Sequence, residues 1–439
     1  MKTDFDAIVV GAGPAGSSAA ILLAQAGWSV ALIEKQAFPR RKVCGECVAA
    51  SNLPLLHALG IGPEFIARAG PELRQTAVMR GARTILADLP LAPDSRYAWG
   101  RALGREVLDT MLLERAHAVG AEVFQPWAVQ KIDDASGLHR CTARKSGSNE
   151  RVILEAPVVI LAHGSWEPLP ADREEQRLAR SDSDLLAFKA NFSGASLTPG
   201  LLPVLLFHGG YGGMVLAGDG LTTLACCVRA DRLDALRRSA PGKPAGEVIE
   251  AMLKRECRGV EDALLGAMRQ GTWMASGPLA PGIRLKSEET VFRIGNAAGE
   301  AHPIIGEGMS MALQSAWLLC EKLMQAGQTN AASVSTTWQR AVCNDYAAQW
   351  RKKFVPRMRL ASTFAYVAMR PATSAALLIP LTRWPSLITL GAIWAGKVNC
   401  PASIASTDDR FHGAIDADTC DPGPAVRTLK ADDDSAGHA

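Results

Sequence analysis

Across 439 residues the sequence nowhere offers the ~18 uncharged apolar residues in a row that a transmembrane helix needs. The nearest approach, Leu360 to Val398, is interrupted by Arg370, Pro371, Pro380, Arg383 and Pro385, which predicts short helices instead. The N-terminus lacks the apolar core of a signal peptide: Met1-Lys2-Thr3-Asp4-Phe5-Asp6 leads straight into a strand, so a cytoplasmic location is expected. No basic stripe interleaved with aromatics is present and the formal charge is only +3, which argues against nucleic acid as a partner. The ten cysteines show no framework spacing, as expected of reduced thiols. Cys44 and Cys47 form a CxxC with no second CxxC to complete a zinc site, and no metal is expected. They read either as a redox pair or as two small residues in a tight loop. No internal repeat is visible. What remains, 48% hydrophobic and 21% charged, is the composition of an ordinary globular enzyme.

The first informative segment is a βαβ unit. Asp6 to Val10 is β-rich, Ser17 to Ala26 is a helix of small and aliphatic residues closed by Gly27, and Ser29 to Ile33 is a second strand ending at Glu34. Between strand and helix stands Gly11-Ala12-Gly13-Pro14-Ala15-Gly16. Gly11 permits the tight turn, Gly13 lets the backbone approach a pyrophosphate, and Gly16 lets helix and strand pack closely. The pyrophosphate then rests on the positive end of the helix. Glu34, 21 residues after Gly13, is placed to accept from ribose hydroxyls and repels a 2′-phosphate.

Further on, Arg105 to Val119 has helical periodicity, and Glu122 to Val129 and Val152 to Leu161 read as strands. The second contains a buried parallel strand returning to the first sheet. From Asp184 to Arg229 short alternating strands predict an antiparallel sheet. Arg232 to Met268 reads as helical, Glu289 to Ile294 as a strand, and Gly308 to Gln325 and Ser335 to Thr363 as helices. Beyond about residue 402 the chain turns polar and reads as disordered.

The glycine loop alone does not separate FAD from NAD. A second motif, Arg293 to Met309, supplies a strand, a small-residue turn around Gly295 and Asn296, a loop at Pro303, and a helix starting at Gly308. A helix N-terminus aimed at a flavin stabilises charge on the reduced ring, and Gly306 and Gly308 let backbone lie against it. This pair of motifs, about 280 residues apart, resembles the superfamily of FAD-dependent aromatic hydroxylases, geranylgeranyl reductases and flavin halogenases. The resemblance covers roughly residues 4 to 330. It is also carried by Lys42-Val43-Cys44-Gly45-Glu46 and by Arg105-Glu106-Val107-Leu108-Asp109, whose arginine in the family approaches FAD.

The expected fold is therefore α/β: a Rossmann-type FAD-binding domain with a doubly wound parallel sheet, an antiparallel-sheet substrate domain, and C-terminal helices. Residues 1–180 are assigned to the first part of the FAD domain with inserted substrate-domain segments, 181–285 mainly to the substrate sheet, 286–330 to the second FAD part, 331–402 to the helical region and 403–439 to the tail. Non-covalent FAD is assigned to Gly11, Gly13, Pro14, Ala15, Gly16, Glu34, Lys35, Cys44, Arg105, Val129, Gly295, Asn296, Gly306, Gly308 and Met309. Two positions depart from the family. Asn296 stands where the family has aspartate. His163, in Ala162-His163-Gly164-Ser165-Trp166, replaces the mid-chain aspartate that helps bind FAD and nicotinamide. His163 either alters NAD(P)H handling or titrates beside the cofactor. No second GxGxxG is visible, so electrons are expected from transiently bound NAD(P)H or a partner reductase.

The function expected is FAD-dependent monooxygenation, by hydroxylation or epoxidation, of an aromatic, polyketide-like or other bulky organic substrate, including a tryptophan borne on a protein. The alternatives are an ene-reductase acting on an isoprenoid, suggested by the family's loop cysteine at Cys44, and a flavoprotein binding or maturation factor without turnover. Halogenation is disfavoured, because Cys44 stands where halogenase-like members have lysine and the Phe207 to Gly213 region holds no tryptophan pair. His302, Glu307 and His163 are the candidate acid–base groups. His208, Tyr211, Trp273 and Pro303 are candidate pocket residues, while Trp99 reads as core. The apolar C-terminal helices, with the basic stretch Arg351 to Arg359, are expected to cover the substrate or to face a membrane or protein.

Overall fold

The computed structural model describes residues 3–135, 137–164, 181–286, 288–327 and 334–398. The expected disordered tail, and Ser165 and Trp166 of the mid-chain motif, lie outside the described residues.

The chain begins with strand β1 (Ala7–Val10), helix α1 (Pro14–Gln25) and strand β2 (Val30–Ile33), and every residue of both strands is buried. Proline at the first position of α1 pre-sets the helical φ. A short strand β3 (Cys47–Val48) precedes helices α2 (Leu53–Ala58) and α3 (Gly62–Arg68), and strands β4 (Gln75–Arg80) and β5 (Arg83–Asp88) form a hairpin. Then come β6 (Arg101–Ala102), α4 (Arg105–Ala118), β7 (Glu122–Phe124), β8 (Trp127–Ala135), β9 (Leu138–Lys145), β10 (Arg151–Ala156) and β11 (Val158–Leu161). The two strands read at 122–129 and 152–161 are thus each divided in two. Pro126 and Pro157 stand at the breaks, where the missing N–H cannot continue a ladder.

The second half supplies β12 (Leu185–Ser193), β13 (Leu201–Phe207), β14 (Gly210–Leu216) and β15 (Thr222–Arg229). Three helices follow, α5 (Ala230–Ser239), α6 (Ala245–Glu256) and α7 (Arg258–Ala263), and the helical reading to Met268 ends early because β16 (Met268–Ser276) begins there. Strands β17 (Gly282–Ile283), β18 (Phe292–Arg293) and β19 (Gly299–Glu300) lead to helix α8 (Gly308–Gln325). The chain then forms α9 (Thr336–Ala368), α10 (Pro371–Arg383) and α11 (Ser386–Trp394).

Three main sheets result. A five-stranded parallel sheet has the order β18-β11-β1-β2-β7, so the second glycine motif returns beside the first. α1 packs on one side of it, between α8 and α4. A three-stranded antiparallel sheet, β10-β9-β8, covers the opposite side through Trp127, Cys141 and Leu154. A seven-stranded sheet, β16-β12-β15-β14-β13-β4-β5, is antiparallel except where β13 runs parallel to β4. One of its faces is sealed by α6 and α7 around Phe192, Met252 and Leu253. The other face meets α9 and α10 around Tyr211, Ala365 and Leu378.

Candidate functional site

The glycine loop shows why its residues cannot be larger. A Cβ on Gly16 would lie 1.8 Å from the carbonyl oxygen of Gly11, and one on Gly11, whose φ is +103°, would lie 2.7 Å from the carbonyl oxygen of Ala162. Gly13 is different. A Cβ there would meet only the guanidinium nitrogens of Arg40 and Arg105, at 3.7 and 3.8 Å. The start of α1 and two guanidiniums therefore converge on one point, a strongly positive cradle of the size and sign a diphosphate requires.

Each cation of that cradle is fixed from behind. Arg105 forms a two-pronged pair with Asp109, at 2.7 and 2.8 Å, one helical turn along α4. Burial opposes the Arg105 charge, but Asp109 outweighs it and holds the guanidinium above its ordinary value. Arg40 lies 3.4 Å from Glu34 and 3.7 Å from Asp109. Glu34 accepts from the backbone N–H of Ala12 and of Gln36, both at 2.9 Å, and also lines the cavity. A carboxylate has capacity beyond those two bonds, so it retains acceptor sites for a ribose. These residues fit the adenosine diphosphate portion of FAD.

The cradle opens into a cavity of about 410 Å3 that runs from the glycine loop to the seven-stranded sheet. The second motif forms its middle. Gly295 (φ +56°) is anchored by its N–H donating to the Ser315 hydroxyl at 2.8 Å, and Asn296 follows at the cavity wall. Gly306 (φ +62°), Gly308 and Met309 continue that wall at the start of α8, and Pro303 lies beside them. Cys44 and His163 also line it. His163 Nδ1 is 2.9 Å from the Gly164 carbonyl.

At the sheet end, Tyr211 on β14 faces the cavity. Its phenol lies 3.3 Å from His302 Nδ1. Burial pushes the phenol well above its usual value, with Cys227 and Glu300 adding to the effect, and burial pushes His302 down. Burial thus disfavours the charged form of each, and either the phenol or Nδ1 can be the donor of their hydrogen bond. The rest of this end is apolar, with Val78, Leu206, Phe364, Leu377, Leu381 and Ile388 on its walls.

Not every expected residue joins this site. Trp273 packs on the far face of the seven-stranded sheet, edge-on to Phe192, and its indole N–H donates to Glu250 at 3.1 Å. His208 sits in the β13–β14 turn, its backbone N–H turned toward Glu256 on that same far side. Neither lines the cavity. Val129, on β8, is buried against the parallel sheet, and the Lys35 carbonyl accepts from the Ser146 hydroxyl at 2.9 Å; neither lines the cavity. Glu307 is fully buried and lies 3.4 Å from Arg357 and 3.2 Å from Lys397. That pairing holds Glu307 between two cations beside the loop that carries Gly306. Cys44 and Cys47 are both free thiols. Burial pushes the Cys47 thiol up, which disfavours the thiolate a redox pair needs.

Four contributors were not among the residues expected from the sequence. Arg40 completes the cradle from an irregular loop. Lys397, from the end of the described chain, lines the cavity and donates to the Gly306 carbonyl at 3.1 Å. Glu46 and Lys189 form a buried ion pair joining the loop after β2 to the seven-stranded sheet. Only Glu46, inside the Lys42–Glu46 motif, lay in a stretch the motif reading could have flagged.

Residues 4–337 match the FAD binding domain family. Conditioned medium factor receptor 1 of Dictyostelium discoideum is 26% identical over 338 residues, which is 73% of this chain and 64% of that protein. A menaquinone reductase of Mycolicibacterium smegmatis is 25% identical over 427 residues, 92% of this chain and 98% of the reductase. The chain thus spans just under two thirds of the first relative and nearly all of the second. Among solved structures, the flavin-dependent halogenase CmlS superposes with a TM-score of 0.69 at 20% identity, over 94% of this chain and 71% of its own. At that identity the likeness speaks for the fold.

Proposed function

This chain belongs to the FAD binding domain family of flavin-dependent oxidoreductases, and from that premise we propose that it is a monooxygenase acting on a bulky, largely apolar organic substrate. The observation that supports this reading is the cavity itself: a charged cradle at one end, and at the other an apolar chamber walled in part by Tyr211, with His302 behind the phenol. Bound FAD supplies two-electron redox chemistry and, when reduced, the activation of O2. Oxygenation consumes one O2, two electrons and two protons, and yields oxygenated substrate and water.

The residues of this chain do the rest. Arg40, Arg105 and the start of α1 hold the diphosphate. Gly306 and Gly308 line the cavity at the start of α8, where backbone N–H groups and the positive helix end would stabilise charge on a bound flavin. Val78, Phe364 and Leu381 keep water out, as oxygen chemistry on a flavin requires. Tyr211, backed by His302, holds a proton at the phenol oxygen facing the chamber. Electrons are supplied by transiently bound NAD(P)H or a partner reductase.

A second reading, reduction of a carbon–carbon double bond, is favoured by two observations. Cys44 lines the cavity, and a menaquinone reductase matches over nearly its full length. Halogenation is less well supported, since Cys44 rather than lysine holds that loop position. The deciding experiment mixes FAD-loaded protein, reductant and candidate aromatic or polyene substrates. Substrate-dependent O2 uptake with isotopic oxygen from O2 in the product is the expected result. Turnover that proceeds fully under argon would replace it with the reductase reading, and FAD binding with no turnover of any substrate would favour a binding factor.

A further inference from the structure

Helices α10 and α11 are apolar on both sides. The inner side of α10 carries Ser374, Leu378 and Leu381, which are buried, and its outer side carries Ala372, Ala375, Ala376 and Ile379, which are exposed. In α11 no residue is buried, although its sequence is Ser-Leu-Ile-Thr-Leu-Gly-Ala-Ile-Trp. A helix that is apolar all round belongs in a protein core or in lipid, yet these two lie at the surface. Ile379, Trp384 and Trp394 are 69%, 58% and 63% exposed, and Leu387, Leu390 and Ile393 add to the same run. Leu86 and Leu91 extend it, since α11 packs beside β5 and the Thr389 hydroxyl donates to the Asp88 carbonyl.

The charges that the C-terminal helices themselves carry have one sign, and Asp88, whose carboxylate accepts from Gln75, is the acid beside them on β5. Between Asp345 and Asp408 the sequence contains no aspartate or glutamate, but it contains six arginines and lysines besides the buried Arg357 and Lys397. Arg370 and Arg383 flank α10, Arg359 is exposed on α9, and the Arg80 guanidinium donates to the Pro371 carbonyl at the start of α10. Among the described residues Arg359, Arg370 and Arg383 have no carboxylate within ion-pairing distance. Among the described residues, too, no single helix is long and apolar enough to cross a membrane, and α10 turns away from α9 by 109°. An apolar face with tryptophans at its ends, a basic rim and a bent rather than spanning course is the pattern of a helix pair lying in a bilayer interface.

We propose that α10 and α11 dock this protein on the surface of a membrane carrying anionic phospholipid. The inner faces of the same helices, through Leu377, Leu381, Ile388 and Ala392, form a wall of the cavity. The docking surface and the apolar chamber are thus two sides of one layer, which suits a substrate that dissolves in the bilayer. The docking itself does not depend on the proposed oxygenation and is read without turnover.

The test is flotation of the full-length, FAD-loaded protein with phosphatidylcholine vesicles, with and without phosphatidylglycerol. Binding is expected with the anionic vesicles, weakening as salt rises. Each arginine near an anionic surface contributes about 1 kcal/mol, so Arg359→Gln, Arg370→Gln and Arg383→Gln together are expected to weaken partitioning by roughly 100-fold. Leu390→Glu with Trp394→Glu is expected to abolish it while leaving the bound flavin spectrum unchanged. No flotation with either vesicle would overturn the proposal. So would a concentration-dependent dimer that the glutamate variants dissociate in the absence of vesicles, which would assign the face to a second copy of this chain.

Discussion

The ammonium of Lys189, in the interior of the seven-stranded sheet, is hydrogen-bonded to the carboxylate of Glu46, in the loop between β2 and β3. Both side chains are 1% exposed. Glu46 has φ +59°, a left-handed conformation unusual for a residue with a side chain, and its other oxygen accepts from Thr223. The loop that carries Cys44 is therefore tied to the sheet by a charge pair withdrawn from water. Removing one partner strands the other, so Glu46→Gln or Lys189→Met is expected to cost about 3–5 kcal/mol. The double variant Glu46→Leu with Lys189→Met should recover most of that loss. Urea denaturation of all three checks it, and a double variant no better than the singles would refute the pairing argument.

Gly13 and Gly16 should fail in different ways. Gly13 has room on the protein side, so Gly13→Val is expected to fold and to lose FAD, because the new side chain occupies the diphosphate position. Gly16→Ala forces a carbon into the Gly11 carbonyl and should disrupt the βαβ unit itself. Far-ultraviolet circular dichroism and visible absorbance, read together, separate the two. A fully yellow Gly13→Val protein would place the cofactor elsewhere.

Tyr211→Phe removes the one hydroxyl facing the apolar chamber from β14 without changing its shape. Turnover should fall by roughly 100-fold, the scale of a lost acid–base contribution, with FAD occupancy unchanged. His302→Ala should reproduce most of that loss, since it acts through the same phenol. Steady-state kinetics on the variants tests the pair, and unchanged kcat in both would remove them from the reaction.

Glu307→Gln should reveal a structural role. With Arg357 and Lys397 left as unpaired cations, stability is expected to drop by about 3 kcal/mol or more. The segment holding Lys397 should exchange its amide hydrogens faster. If stability and exchange were unaltered while turnover collapsed, Glu307 would instead be an acid–base group.

Two histidines predict the response to acid. Burial pushes His139 and His302 below the ordinary value of 6.5, so in the folded protein they bind fewer protons than in the unfolded chain near and below that pH. Stability must then fall as pH is lowered through this range. The Tm at about pH 5 should lie below that at about pH 7.5, and His139→Gln should narrow the gap. An unchanged gap would mean other groups dominate.

Much of this was legible in the sequence because glycine and strand patterns are local. Gly11 to Gly16 and Gly308 to Gln325 fall where periodicity and turn chemistry put them. Strands β4 and β16 were less visible, because β4 also pairs with β13 and β16 with β12, both far along the chain, and β16 carries no fully buried residue. His208 and Trp273 misled for a related reason. Residue type suggests a pocket, but which face of a sheet a side chain occupies depends on register: Trp273 faces α6, and His208 sits in the turn after β13. Lys397 and Lys189 could not be found at all, since a buried lysine has no signature until its carboxylate is brought to it.

The flavin cradle is finished last. The loop at Gly13 is synthesised long before Gly295 to Gly308. Lys397, which braces Gly306 and Glu307, comes at the end of the described chain. A partly translated chain holds only half a site, so FAD cannot guide early folding. Its uptake would act as a completeness check, stabilising by mass action only those molecules whose distant segments have already met.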